Sequence, residues 1–264
     1  MDVDQVLEQT QWDFFWVPPD ATVVDRPELA FVSCPRDLPH LNAVTRLRTF
    51  PADFDRVLAE VGEAHSAVRS RVMVVPRIRS VELESTLSAA GYEPADAHAA
   101  CAVSVSDYAG QVPTHTEVHA VDRVERLRDW HDVAASAFGE PREATEDDLR
   151  RELRACTAPD ARVFRAVAYD RSTREPIASG GLTTFPHLGF GLLWAGGTVP
   201  HARGRGAYTA ILRSRVEHAR RAGLGHVGLY ARLSTSAPIV ERQGFGAFGT
   251  MVLWSRAPQS MANH

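Results

Sequence analysis

Two glycines and two arginines fill one short segment, Val199-Pro200-His201-Ala202-Arg203-Gly204-Arg205-Gly206-Ala207-Tyr208. Glycine lets a backbone take positive φ and approach a ligand closely. The amides of residues 204 to 208 open a helix, and a helix N-terminus carries unpaired N–H groups that bind anions. Arg203 and Arg205 add charge and fork-shaped hydrogen bonding. The chemistry this calls for is recognition of a phosphate or diphosphate. A dinucleotide-binding fingerprint needs Gly where Thr209 stands, and a P-loop needs Lys. All 29 basic residues are Arg, so lysine chemistry of any kind is excluded, including Schiff bases and the kinase strand lysine.

Other residue sets are weaker. The 11 His include no H-E-x-x-H. His115 and His119 flank a linker and a strand, and His115-x-Glu117 lacks the Pro-Cys-x-x-Cys of a deaminase. No metal site is expected. Cys34, Cys101 and Cys156 are odd in number and form no C-x-x-C, which predicts free thiols. No Cys or Ser stands in a nucleophile constellation.

The elements around the turn alternate. Val118–Val121 reads as a strand and Val124–Phe138 as an amphipathic helix. A second helix starts at Thr145, where Asp148 suggests a capping box. Arg162–Tyr169, Pro176–Phe185 and Gly191–Val199 read as antiparallel strands. After the turn comes a helix to Ala222. Its apolar stripe is Tyr208, Ile211, Leu212, Val216 and Ala219, and Arg213, Glu217 and Arg220 face away. A strand His226–Ala231, a short helix Ser236–Gln243 and a strand Thr250–Arg256 follow. The first half repeats part of this order, with a helix from Asp53 to Val68, a strand Val72–Val75, a helix Val81–Ala90, then Gly91-Tyr92 and a strand; a strand-like run Ala99–Val105 precedes the polar stretch that follows. Asp53 to Gly91 and Gly206 to Gly244 are both 38 residues apart. That spacing is either a duplication or a coincidence of common α/β patterns. Asp107–Thr114 is the best boundary. Trp12, Phe14, Phe15 and Trp16 form an aromatic cluster, read as packing or as one wall of an acceptor site.

The turn resembles the Arg-Gly-x-Gly signature of the GCN5-related N-acetyltransferase (GNAT) family, within Val-Pro-x-x-Arg-Gly-Arg-Gly. The likeness runs from about Val118 to Arg256 and includes Gly244-Phe245. It implies an α/β fold with a mixed, largely antiparallel sheet flanked by helices, duplicated in this chain. Residues 1–110 are then a degenerate acetyltransferase-like domain and 115–264 the acyl-CoA-binding domain. It implies acetyl-CoA as co-substrate, its diphosphate on the amides of Arg203, Gly204, Arg205, Gly206, Ala207 and Tyr208. Gly196, Gly197 and Thr198, leading into Val199, fall where the family has the strand bulge that grips the pantetheine arm; close strand packing is the other reading of the glycines. Ser234, Thr235 and Ser236 fall near where the family touches the cofactor, although Ser236 also suits a helix cap. Glu140 falls at the acceptor pocket, as an ammonium anchor, a base or a solvated loop acid.

Three departures matter. Tyr208 stands where the family has Gly or Ala. Val240 stands where it has a general-acid Tyr, four residues before Gly244. Phe190–Val199 holds no acid to serve as base. Tyr230 and Ser234 are the remaining hydroxyls for proton handling, and Tyr230 also reads as a core residue. The first half should hold no CoA, because Thr49-Phe50-Pro51-Ala52 replaces the Gly-rich turn.

Composition sets the frame. With 264 residues, 44% hydrophobic and 23% charged, the chain reads as globular, one large or two small domains. Net charge is −4, against a nonspecific nucleic-acid binder. The acidic N-terminus is unlike a signal peptide, and no apolar run suits a membrane span. The expectation is a cytoplasmic N-acyltransferase, monomer or homodimer, moving an acetyl group from acetyl-CoA to a small-molecule amine by direct attack. The alternatives are a non-catalytic acyl-CoA sensor and an enzyme using a carrier-protein or aminoacyl-tRNA donor.

Overall fold

The computed structural model describes residues 2–14, 16–110, 114–139 and 144–258. In chain order the elements are α1 (Val3–Gln9), β1 (Thr22–Asp25), β2 (Leu29–Ser33), β3 (Ala43–Leu47), α2 (Phe54–Ala64), β4 (Ser70–Val74), α3 (Val81–Ala89), β5 (Glu93–Ser104) and β6 (Thr116–Ala120). There follow α4 (Val124–Phe138), α5 (Glu146–Thr157), β7 (Val163–Asp170), β8 (Pro176–Phe185), β9 (Phe190–Thr198), α6 (Ala207–Arg221), β10 (His226–Arg232), α7 (Ala237–Arg242) and β11 (Gly246–Arg256). The fold class is α/β with a mixed, largely antiparallel sheet.

The chain forms two compact units. One comprises residues 1–100, 230–238 and 247–264, the other 101–229 and 239–246. In the first, the strand order is β1-β2-β3-β4-β11-β5. β3 and β4 are parallel, and β4 meets β11 antiparallel, with Val74 opposite Val252 and Ser70 opposite Arg256. The strand beside β4 thus comes from far along the chain, so this unit is not a continuous stretch of sequence. Its core joins Val57, Leu58 and Val61 of α2 to Val72 and Val74, Leu83 and Leu87 of α3, and Trp254. Those positions recur at helical and strand periods, and each buried side chain of this size contributes about 1.5–3 kcal/mol. Trp12 lies under the guanidinium groups of Arg46 and Arg48, at 4.5 and 4.4 Å, whereas Trp16 is largely exposed. Phe15 lies outside the described residues.

In the second unit β6, β7, β8 and β9 are successive antiparallel neighbours and β10 runs parallel to β9. α4 buries Leu127, Trp130, Val133 and Ala134, and ends where Gly139 takes φ +72°. α5 begins with the reciprocal bonds of a capping box, Thr145 with Asp148. No helix among the described residues is long and apolar enough to cross a membrane.

Candidate functional site

The site is built on one irregular strand. β8 and β9 pair from Phe185 opposite Phe190 up to Gly181 opposite Trp194, and resume with Ser179 opposite Gly197. One β8 residue, Gly180, therefore faces two on β9, Ala195 and Gly196. This is a β-bulge, a device that re-aims backbone groups. The positive φ falls on Ala195, at +47°, and not on a glycine. A non-Gly residue there is strained, and such outliers collect at functional sites. The glycines are needed for space. A Cβ on Gly197 would lie 2.7 Å from Ala137 Cβ, and one on Gly196 3.0 Å from Tyr208 Cε2 and Arg215 Nη2. On its other edge β9 pairs with β10 only through Phe190, Gly191 and Leu192. Residues 193–198 continue without that partner.

The chain then turns. Pro200–Ala202 form one 3₁₀ turn, with Ala202 buried. Gly204 takes φ +76° and Gly206, the N-cap of α6, φ +81°. L-residues resist that region, so glycine is required here by conformation. Nothing lies within 4 Å of a Cβ placed on Gly204. The first internal helix bond is Ala210 N–H to Gly206 O at 3.0 Å, so the amides ahead of it are the unpaired donors of a helix start. The first turn of α6 holds no acid, which leaves the positive end of its dipole uncancelled.

The two arginines have different duties. Arg203 Nε donates to Thr198 O at 3.3 Å and its Nη2 to Ala137 O at 3.4 Å, lacing the loop to the ends of β9 and α4. Arg205 is more than half exposed and pairs with Asp170 at 3.1 Å. Asp170 accepts from Ser172 Oγ at 2.5 Å and from the amides of Ser172 and Thr173, which hold its carboxyl down at about 2. Thr198 Oγ1 is buried without a hydrogen-bond partner. Val199 and Ala207 are buried and Tyr208 half-buried, so Ala207 and Tyr208 offer the loop their amides rather than free side chains.

The hydroxyls and acids singled out for proton handling are scattered. Tyr230 belongs to the first compact unit and packs against Met73, Val75 and Met251. Its hydroxyl is buried and unpartnered, and burial, reinforced by Asp4 and Glu8, drives its pKa well up. Ser234 and Ser236 lie in the turn before α7, Ser234 exposed and Ser236 half-exposed, also within the first unit. Glu140 lies outside the described residues. Val240, four residues before Gly244, is fully buried. Among the described residues no group of three or more His, Cys, Asp or Glu could hold a metal.

Three residues escaped the sequence. Asp170 ends β7 with nothing in the sequence to mark its partner. Ala195 carries no signal of its strained φ. Arg215 was detectable, because it falls on the apolar stripe of α6 and is 1% exposed.

Comparison with known proteins bears on fold. No family model matches the chain and no curated protein matches it. Among solved structures it is similar to a GCN5-related N-acetyltransferase from Kribbella flavida, at TM-score 0.69 and 15% identity, covering 97% of this chain and 95% of that one. A GCN5-related N-acetyltransferase from Sphaerobacter thermophilus gives TM-score 0.60 and 18% identity over 89% of this chain and 82% of that one. A tandem GNAT protein from the clavulanic acid biosynthesis pathway gives TM-score 0.60 and 14% identity over 97% and 87%. The chain therefore has the fold of GNAT acetyltransferases over almost its whole length, one of these neighbours being tandem.

Proposed function

We propose that this chain is a tandem GNAT acyltransferase that moves an acetyl group from acetyl-CoA to a small-molecule amine in the cytoplasm. The observation that carries this reading is the α6 N-terminus. Two glycines in left-handed conformation lead into a row of unpaired amides, with no acid in the first turn and an exposed arginine beside them. That donor set suits a diphosphate. The bulge supplies the second feature, backbone N–H groups on a strand edge that has lost its ladder partner. They are suited to hold a thioester carbonyl and the oxyanion that forms from it.

The reaction then needs little from side chains. The bulge and loop fix the thioester against a neutral amine, and such positioning can remove a large share of the barrier. The amine nitrogen bonds to the carbonyl carbon, the carbon–sulfur bond breaks, and the electron pair leaves on CoA sulfur. The proton lost by nitrogen passes to solvent, and the thiolate takes one from solvent. With Val240 in place of a phenol and no acid on β9, the two positions that usually handle protons in this family hold no titratable group. General acid–base help typically contributes about 10²–10⁴ in rate, so a slow enzyme is expected.

Val240 and the acid-free strand β9 also favour a second reading, a non-catalytic acyl-CoA sensor. Calorimetric titration with acetyl-CoA, followed by a screen of primary amines for release of free CoA thiol, separates the readings. Binding with turnover supports the enzyme, binding without turnover of any amine supports the sensor, and no binding overturns both.

A further inference from the structure

Arg215 is the most deeply buried arginine among the described residues. It lies two turns along α6 from Tyr208, on the face the helix buries, and is 1% exposed. A buried guanidinium normally has a carboxylate partner, because an unpaired buried charge is strongly disfavoured. Here the ionisable neighbours acting on it are the phenols of Tyr208 and Tyr108. Nη2 has no acceptor in hydrogen-bonding geometry, with the Tyr208 phenol beside it.

Beyond the Tyr208 phenol, the hydrogen bonds of Arg215 go to backbone carbonyls. Nε donates to Ile211 O at 3.3 Å. Nη1 donates to Gly181 O at 3.2 Å and to Trp194 O at 3.3 Å. Gly181 and Trp194 face each other as the last pair before the β8–β9 register breaks. One nitrogen thus ties both strands where the bulge begins. Two glycines keep the space open: a Cβ on Gly180 would lie 3.0 Å from Arg215 Cζ, and one on Gly196 3.0 Å from Nη2.

We propose that Arg215 is a positioning residue for acyl transfer, clamping the bulge and polarising the Trp194–Ala195 peptide from behind. This rests on the reading of the chain as an acyltransferase. The peptide is trans, so the Ala195 N–H points opposite to the Trp194 carbonyl that Arg215 holds. A cation on that carbonyl draws electron density through the amide and makes the N–H a stronger donor. Because no carboxylate among the described residues is paired with it, the charge is left free to act on the bulge, where negative charge grows during attack. Arg215 thereby supplies electrostatic help in a site whose phenol is replaced by Val240. The clamp also holds Ala195 at its positive φ.

Two variants test this, Arg215→Met, which removes the charge, and Arg215→Lys, which keeps the charge but not the fork. In the donor-free protein, amide hydrogen exchange at Ala195 and Gly196 is expected to quicken at least tenfold in Arg215→Met, with β6–β7 unchanged. With acetyl-CoA and an accepted amine, kcat is expected to fall about 100-fold in Arg215→Met and about tenfold in Arg215→Lys. The affinity for acetyl-CoA should change less than threefold in both. If Arg215→Met does not fold, Arg215→Lys decides alone. Wild-type exchange and kcat in either folded variant would overturn the proposal, as would a loss confined to acetyl-CoA affinity. The exchange readout needs neither donor nor acceptor. A wild type without turnover therefore defeats the acyltransferase reading, while unchanged exchange defeats the clamp.

Discussion

Asp53 and Gly206 occupy the same place in two copies of one pattern. Each is the N-cap of an amphipathic helix, α2 and α6. Each helix leads to a strand, a second helix, a glycine at φ +80° (Gly91) or +91° (Gly244) and a final strand. The scaffold is held in common, and the entrances differ. Before α2 the chain makes a 3₁₀ turn at Pro51–Asp53, Pro51 has no amide to offer, and Asp53 has φ −101°. Asp53 binds Arg56 at 3.1 Å, and Asp55 stands in the first turn of α2, so this helix dipole is already answered by acids. Before α6 both glycines take positive φ and the first turn has no acid. A fold survives on its apolar periodicity, whereas an anion site depends on a few φ angles and the sign of the charges beside them.

The largest effect that would break this contrast is at the glycines. The double variant Gly204→Val, Gly206→Val should lose at least 100-fold in acetyl-CoA affinity by calorimetry while its circular dichroism keeps the helix signal. Unchanged affinity in the folded variant would remove the loop from the site. Wild type should bind one acetyl-CoA per chain, and a stoichiometry of two would mean that the α2 entrance also binds. Next in size is Arg205→Ala, expected to weaken binding about tenfold, in line with the worth of a charge-assisted hydrogen bond. The ion pair behind it should persist in mild acid. Asp170 has a lower pKa folded (about 2) than an ordinary Asp, so its stabilising contribution is complete above the unfolded value of about 3.9 and fades as pH falls toward 2. Carboxyl chemical shifts followed by NMR should place its midpoint near 2, and a midpoint near 4 would show that the Asp170 anchor does not exist.

A smaller effect is expected at Tyr230. Tyr230→Phe should change the rate less than tenfold, and the wild-type pH–rate profile should climb as the acceptor amine deprotonates, with no alkaline decline from an enzymic phenol. Loss of most activity at every pH in the variant would make Tyr230 the acid. The smallest effect sharpens the contrast from the other side: Asp53→Asn should leave acetyl-CoA affinity within twofold.

Local signals in the sequence carried most of the second unit. The Leu127, Trp130, Val133 and Ala134 periodicity sets α4 at Val124–Phe138, and Thr145 with Asp148 marks the start of α5. The strands β1, β2 and β3 were not legible. They span four or five residues each, and the exposed pattern of β1 gives no alternation to read. The placement of β11 beside β4 was also hidden, because strand pairing across such a separation leaves no mark on either segment. Within the site, the loop glycines announced themselves through the turn they imply. The expectation that glycines form the β9 bulge was only partly right, since packing needs Gly196 and Gly197 but the strained φ belongs to Ala195. Arg215 stays hidden because the apolar stripe is read from apolar side chains alone, although positions 208, 211, 212, 215, 216 and 219 share one face.

The neighbour relation between β4 and β11 also bears on how the protein is made. A ribosome delivers residues 70–74 long before residues 246–256, and until the latter emerge the nascent first unit lacks an inner strand. During that interval one edge of β4 stands open, the kind of unpaired strand edge that recruits wrong partners. Completion of the first unit therefore waits on translation of the second, and a stop codon ahead of β11 would unseat the half of the molecule synthesised first.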